Sequence, residues 1–210
     1  MHPLQLSIAA RHVVIPRCRV FRLSMTSVYV VGQVLGGHGF PNGNTGLHCQ
    51  WELVTSPHWQ REQGLTKGHT QIDSPKDGIE AVWAHPVDVH YSVSERVQGW
   101  PKFQLQVFQE DMFGRNEMVG YGFVHVPSEP GIHEVECSCW RPLSSSWYDE
   151  VQAFFVGGNP QLKSTDMIAT NIDRYKLRTR SSGTVTFKLS VLLKGFKDYN
   201  FTFKGPKASS

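Results

Sequence analysis

The first residues that could do chemistry are the carboxylates of one turn. Residues 107–127 read V-F-Q-E-D-M-F-G-R-N-E-M-V-G-Y-G-F-V-H-V-P. Asp111 and Glu117, the latter after Asn116, sit on a polar, glycine-containing turn between two runs of alternating apolar residues. A hard cation such as Ca²⁺ takes about 6–8 oxygen ligands, so a loop that binds one concentrates acids. Here Gln109 stands two residues before Asp111, and Glu110 falls between them, where extended backbone points it the other way. The opposing segment, Gly36 to Gly46, holds no carboxylate. Two acids in register with nothing opposite cannot build a tight cage. The pattern predicts solvated loop acids and no bound metal or other cofactor.

Other constellations are thinner. Cys18, Cys49, Cys137 and Cys139 form no C-x-x-C pair. Cys137 and Cys139 share one face of an extended segment, poorly placed for a mutual disulfide. His125 and His133 lie near them, but the spacing matches no structural zinc pattern, and buried free thiols are the expectation. Gly37-His38-Gly39 starts a G-x-G, yet the third glycine of a dinucleotide fingerprint is replaced by Asn42 and no helix follows. His85 and Asp88 lack a positioned nucleophile; His85 is expected to cap a turn and Asp88 to bond within the sheet. No nucleophile elbow, zinc-protease helix or phosphate loop occurs. No catalytic function is predicted.

Binding surfaces are better represented. In 173–180 (D-R-Y-K-L-R-T-R), Arg174, Lys176, Arg178 and Arg180 alternate with Tyr175, Leu177 and Thr179. An extended backbone puts all four cations on one face, either as a solvated strand face or as a site for anionic headgroups or an acidic protein. Trp51 and Trp83 fall in strand-like runs and belong to a core. Trp100, before Pro101, and Trp140 fall at turns, where partial exposure is expected. Phe113 with Arg115 on the acidic turn completes the candidate contacts, since aromatic and Arg anchors dominate protein interfaces. Exposed Trp would also serve a sugar-binding module, but nothing in the chain directs secretion.

The elements that must position these residues are strands. Period-two runs occur at about 27–35, 47–54, 69–73, 80–83, 86–92, 102–109, 118–126, 132–137 and 184–194. Pro41-Asn42-Gly43-Asn44, Ser74-Pro75-Lys76-Asp77-Gly78 and Ser128-Glu129-Pro130-Gly131 punctuate them as turns. The spacing predicts an all-β antiparallel sandwich with one short helix near 146–156. Ser146 caps that helix, Asp149 and Glu150 occupy its first turn and Gly157 ends it. Its stripe of Trp147, Val151, Phe154 and Phe155 is expected to pack on the sandwich.

The chain has 210 residues, 40% hydrophobic and 19% charged, consistent with one globular domain. Its net charge of +3 comes from the first 24 residues, which hold four Arg and no acid; the rest has 17 Lys and Arg against 18 Asp and Glu. A neutral body disfavours nucleic acid as a partner. Residues 1–26 are expected to be a disordered extension, with Met25 as the usual start, 27–200 the domain and 201–210 a tail.

Several blocks are familiar when taken together: Cys49-Gln50-Trp51, Trp83-Ala84-His85-Pro86-Val87-Asp88, Gly99-Trp100-Pro101, Asp111-Met112-Phe113-Gly114-Arg115, Gly120 to Pro127, Trp140-Arg141-Pro142-Leu143 and Asp173-Arg174-Tyr175. They resemble the B9 domain family across about residues 27–200. The resemblance implies a divergent C2-like β-sandwich whose usual loop aspartates are depleted, at Gln109 here. It implies a non-catalytic scaffold in the tectonic-like (Meckel syndrome) complex at the ciliary transition zone, contributing to the diffusion barrier between ciliary and plasma membranes and to ciliogenesis. The implied partners are other B9-domain proteins and transition-zone subunits, tubulin at the basal body, and peripheral contact with anionic membrane. The implied location is cytoplasm and cytoskeleton, at the cilium basal body and transition zone. The alternative is a peripheral lipid-binding C2-type domain acting without calcium.

Overall fold

A computed structural model describes residues 26–41, 46–75, 80–93, 97–110, 113–143 and 178–196. Nine strands follow one another: β1 (Thr26–His38), β2 (Gly46–Val54), β3 (Trp59–Gly64), β4 (Lys67–His69), β5 (Glu80–Val93), β6 (Lys102–Glu110), β7 (Asn116–His125), β8 (Gly131–Pro142) and β9 (Thr179–Lys194). All pairings are antiparallel, in the order β3-β5-β1-β9-β8-β7-β6-β2-β4.

That order folds back on itself to make two facing layers, β3-β5-β1-β9-β8 and β7-β6-β2-β4. The seam is β7–β8, where the ladder in register is the single pair Tyr121–Trp140. On the opposite flank the edge strands β3 and β4 are joined by Leu65 and Thr66 alone. Residues 70–73 then run beside β2 before the chain crosses to β5: Leu47 and Asp73 exchange backbone hydrogen bonds of 2.8 and 3.0 Å. The Asp73 carboxylate accepts from the Val82 amide at 2.8 Å.

Alternation decides what fills the space between the layers. Val28, Val30 and Val34 of β1, Val87, Val89 and Tyr91 of β5, and Val185, Phe187 and Leu189 of β9 point inward and are buried. They meet Cys49, Trp51 and Leu53 of β2 and Phe103, Leu105 and Val107 of β6. Aromatic polar atoms stitch the layers together, as buried indoles need an acceptor. The Trp83 indole N–H donates across the gap to the Leu47 carbonyl at 3.1 Å.

The sequence expectation of an all-β antiparallel sandwich holds, with four local differences. β3 is an addition to the expected strands: its middle residues Gln60 to Gln63 are all exposed, so no alternation shows. The strand expected at 69–73 is β4 at 67–69. β5 runs unbroken through 84–85, where a break was expected: Trp83 and Ala84 together oppose Leu35, and Ala84 takes φ 45°. This is a β-bulge. Pro86 is tolerated there because β3 pairs with β5 at Val89–Val93, leaving the amide side of position 86 without a described ladder neighbour. Thr26, assigned by sequence to the extension, begins β1 and pairs with Val93. The helix expected near 146–156 lies outside the described residues.

Gly32 lies in β1, flanked by β5 and β9, where a Cβ would come 2.1 Å from the Lys188 carbonyl oxygen. Gly32→Ala is expected to cost about 2–3 kcal/mol, a typical overpacking penalty, read as a lowered denaturant midpoint with unchanged m-value.

Candidate functional site

The candidate contact residues divide between the two ends of the sandwich. Phe113 and Arg115 sit at the tip between β6 and β7, and Arg178 and Arg180 sit where the chain enters β9. These two points share an end, because Ser182, two residues into β9 from Arg180, donates from its hydroxyl to the Val119 carbonyl of β7 at 2.5 Å. Trp100 and Pro101 precede β6 and lie at the opposite end.

At the first end, Phe113 is 79% exposed. The Arg115 guanidinium lies over its ring, 5.5 Å from the centroid, in cation–π geometry. Gly114 between them takes φ 73°, which lets the tip turn tightly enough to bring the two side chains together. Arg178 and Arg180 are both exposed, and Arg180 faces Arg141 across the β8–β9 ladder. Leu143, 37% exposed, donates its amide to the Arg178 carbonyl at 2.8 Å. Like charges directly opposite across a ladder repel, so an Arg141–Arg180 pair held on one rim favours an anionic neighbour. Arg174 and Lys176 lie outside the described residues.

The acids of this end are dispersed. Gln109 is buried and faces Glu117 in register, while Glu110 faces Asn116. Asp111 lies outside the described residues. Among the described residues no three His, Cys, Asp or Glu side chains gather in a way that could hold a metal ion.

The opposite end is a plug. The Trp100 indole N–H donates to the Val126 carbonyl at 2.8 Å, and its ring meets Trp59 edge-on at 5.5 Å and Phe196 at 5.9 Å. Pro101 is buried, with its carbonyl accepting from the Val126 amide at 3.0 Å. Trp100, half-buried as its turn predicts, and Pro101 both pack at this end. Gly99, at φ 68°, makes the turn that swings the indole inward. Trp140 differs from the partial exposure expected of it: it is 9% exposed and packs with Met118 and Tyr121.

His85 does not cap a turn; its ring lies edge-on to Trp51 at 6.0 Å, and burial lowers its pKa. Asp88 points outward from β5 and is exposed. Three thiols, Cys49, Cys137 and Cys139, are buried in the core. Gly122 makes room for two of them, since a Cβ there would come 2.8 Å from Cys137 Sγ and 3.0 Å from Cys139 Sγ. Burial pushes the Cys49 thiol far up; the adjoining Cys137 thiol and burial do the same for Cys139. A thiol held protonated in an apolar core is a poor nucleophile. Cys18 lies outside the described residues.

The B9-C2 family, described as "Ciliary basal body-associated, B9 protein", matches residues 28–192. B9 domain-containing protein 2 of Danio rerio is 45% identical over 83% of this chain and 98% of its own. B9 domain-containing protein 1 of Mus musculus is 32% identical over 85% of this chain and 87% of its own. Among solved structures, a C2 domain of plant extended synaptotagmin 1 aligns with 82% of this chain and 96% of its own at 13% identity and a TM-score of 0.38.

Two outcomes test this assignment of roles. Trp100→Ala is expected to cost about 3 kcal/mol of stability, as for other aromatic truncations in packed sites, and to leave the affinity of the folded chain for any partner unchanged. Thiol labelling followed site by site is expected to spare Cys49, Cys137 and Cys139 at pH 8 and to modify all three in denaturant.

Proposed function

The chain belongs to the B9 family of ciliary basal body-associated proteins, and on that premise we propose that it is a non-catalytic scaffold of the tectonic-like complex. In this reading it sits at the ciliary transition zone and basal body, contributes to the membrane diffusion barrier and to ciliogenesis, and associates with other B9-domain proteins and transition-zone subunits. Cytoplasm and cytoskeleton are its compartments, with tubulin at the basal body a further partner. The observation that carries the reading is the family match across residues 28–192, nearly the whole described sandwich.

The first end of the sandwich is the contact surface in this proposal. Arg178 and Arg180, with Arg174 and Lys176 preceding them, offer positive charge to an acidic partner; Phe113 and Arg115 offer an aromatic anchor beside a guanidinium. Such anchors supply most of the energy of protein interfaces. Reversing Arg174, Lys176 and Arg178 together to Glu, with Tyr175 and Leu177 kept, is expected to weaken co-purification with the B9 relatives at least tenfold. Unchanged assembly removes this surface from the proposal.

One observation favours the lipid reading as well: an aromatic side chain 79% exposed at a loop tip, beside exposed cations. Aromatic rings settle at the membrane–water boundary, and each nearby Lys or Arg adds about 1 kcal/mol of attraction to an anionic surface. Flotation with phosphatidylserine vesicles, with calcium and with chelator, is expected to recover the chain equally in both and to lose it on Phe113→Asp. Recovery only with calcium contradicts a calcium-independent contact.

A further inference from the structure

The two outer faces of the sandwich differ. On the β7-β6-β2-β4 layer the outward side chains Met118 and Tyr121, together with Trp140 across the seam, are buried. On the other layer the outward aliphatics are open: Ile132 of β8 is 74% exposed, Leu192 of β9 57% and Val31 of β1 41%. Strand register makes these a single patch. Val31 and Ile132 both stand opposite Ser190, one row from Leu192, which stands opposite Tyr29. Tyr29 in turn stacks flat on His90 of β5, ring centroids 3.9 Å apart. The His90 Nε2 atom is buried with no hydrogen-bond partner.

We propose that this face, formed by β5, β1, β9 and β8, is where a second copy of the chain docks, sheet against sheet. Its charges argue for that occupant. Lys188 and Lys194 on β9 are matched by Glu134 and Glu136 on β8 and Asp88 on β5, all exposed. A mixed and nearly neutral rim around an apolar centre suits neither an anionic bilayer nor a polyanion, and a second copy brings both signs with it. A two-fold axis lying across the strands over the Ser190 row sets Ile132 and Val31 of each copy against their equivalents. Lys194 lies four residues to one side of Ser190 on β9, and Glu136, opposite Thr186, lies four residues to the other on β8. The axis keeps each strand over its own equivalent, so Lys194 of each copy comes over Thr186 of the other, one strand from its Glu136 and within reach of it, and Leu192 comes over Lys188. It also brings the Asp88 carboxylates to the same rim, which opposes the association. Isologous self-pairing of this kind is the commonest route to a dimer.

Area sets the expected strength. Outward residues of four strands, spaced about 4.8 Å across and about 6.8 Å along, give a platform of roughly 500 Å². Two such platforms bury about 1,000 Å², at the lower limit of specific interfaces, so the dimer is weak.

Sedimentation equilibrium of the full-length chain between about 1 and 200 μM tests the proposal, with circular dichroism and melting to confirm that each variant folds. The wild type is expected to pass from monomer to dimer in this range. Ile132→Asp with Val31→Asp, both on the axis row and so set against their own equivalents, is expected to weaken dimerisation at least twentyfold. Lys194→Glu weakens it and adding Glu136→Lys restores it; Asp88→Asn tightens it; Phe113→Asp, at the far end, leaves it unchanged. A wild type that is monomeric throughout, or a dimer indifferent to the two Asp substitutions, overturns the proposal. A dimer that Phe113→Asp disrupts does so too, since it places the contact at the loop end.

Discussion

The whole structure depends on two layers being held face to face with little ladder between them. Hydrogen bonding along strands is plentiful within each layer, but β7 and β8 contribute one pair in register at the seam. What holds the layers is the filling between them and the buried polar atoms that cross it. Trp83 is the clearest case, its ring buried and its N–H bonded to the Leu47 carbonyl of the opposing layer. Tyr91 reaches Leu53 in the same way at 3.5 Å. A bulky ring contributes buried area without specifying register; a buried indole N–H does specify it, because a slip leaves a donor unsatisfied in a dry interior. These aromatics both pack the core and set how the layers lie on one another.

That division of labour explains what is legible from residues alone. Strands whose inner and outer residues differ in polarity announce themselves: β6 alternates at Phe103, Leu105 and Val107, and β9 at Val185, Phe187, Leu189 and Val191. β3 is invisible in the sequence because a polar edge strand has no buried stripe apart from its first residue, Trp59. The bulge at Trp83–Ala84 reads as a break because a proline two residues later ordinarily ends a strand.

The candidate site is legible in part for a similar reason. Phe113 and Arg115 stand out as an aromatic and a cation on a polar turn, and they are exposed. Trp100 and Pro101 look the same on paper, but a tryptophan at a turn can lean either way, and the glycine at φ 68° before it decides the direction. The open patch around Ser190 gives no signal at all. Val28 to Val31 reads V-Y-V-V, a run apolar on both faces, so alternation cannot say which residues are covered. Only register across β1, β9 and β8 shows that Val31, Leu192 and Ile132 are neighbours.

The link between β3 and β4 has a consequence for how such domains can multiply. The two outermost strands of the ladder are consecutive in the chain and meet at Leu65 and Thr66, so the flank they form is a corner rather than a pair of loose hems. β4 is three residues long and carries Lys67, and β3 has a kink between Arg61 and Gln63. Short, charged and kinked margins resist templating of foreign strands. Many such domains can therefore stand side by side without their knitting into fibrils.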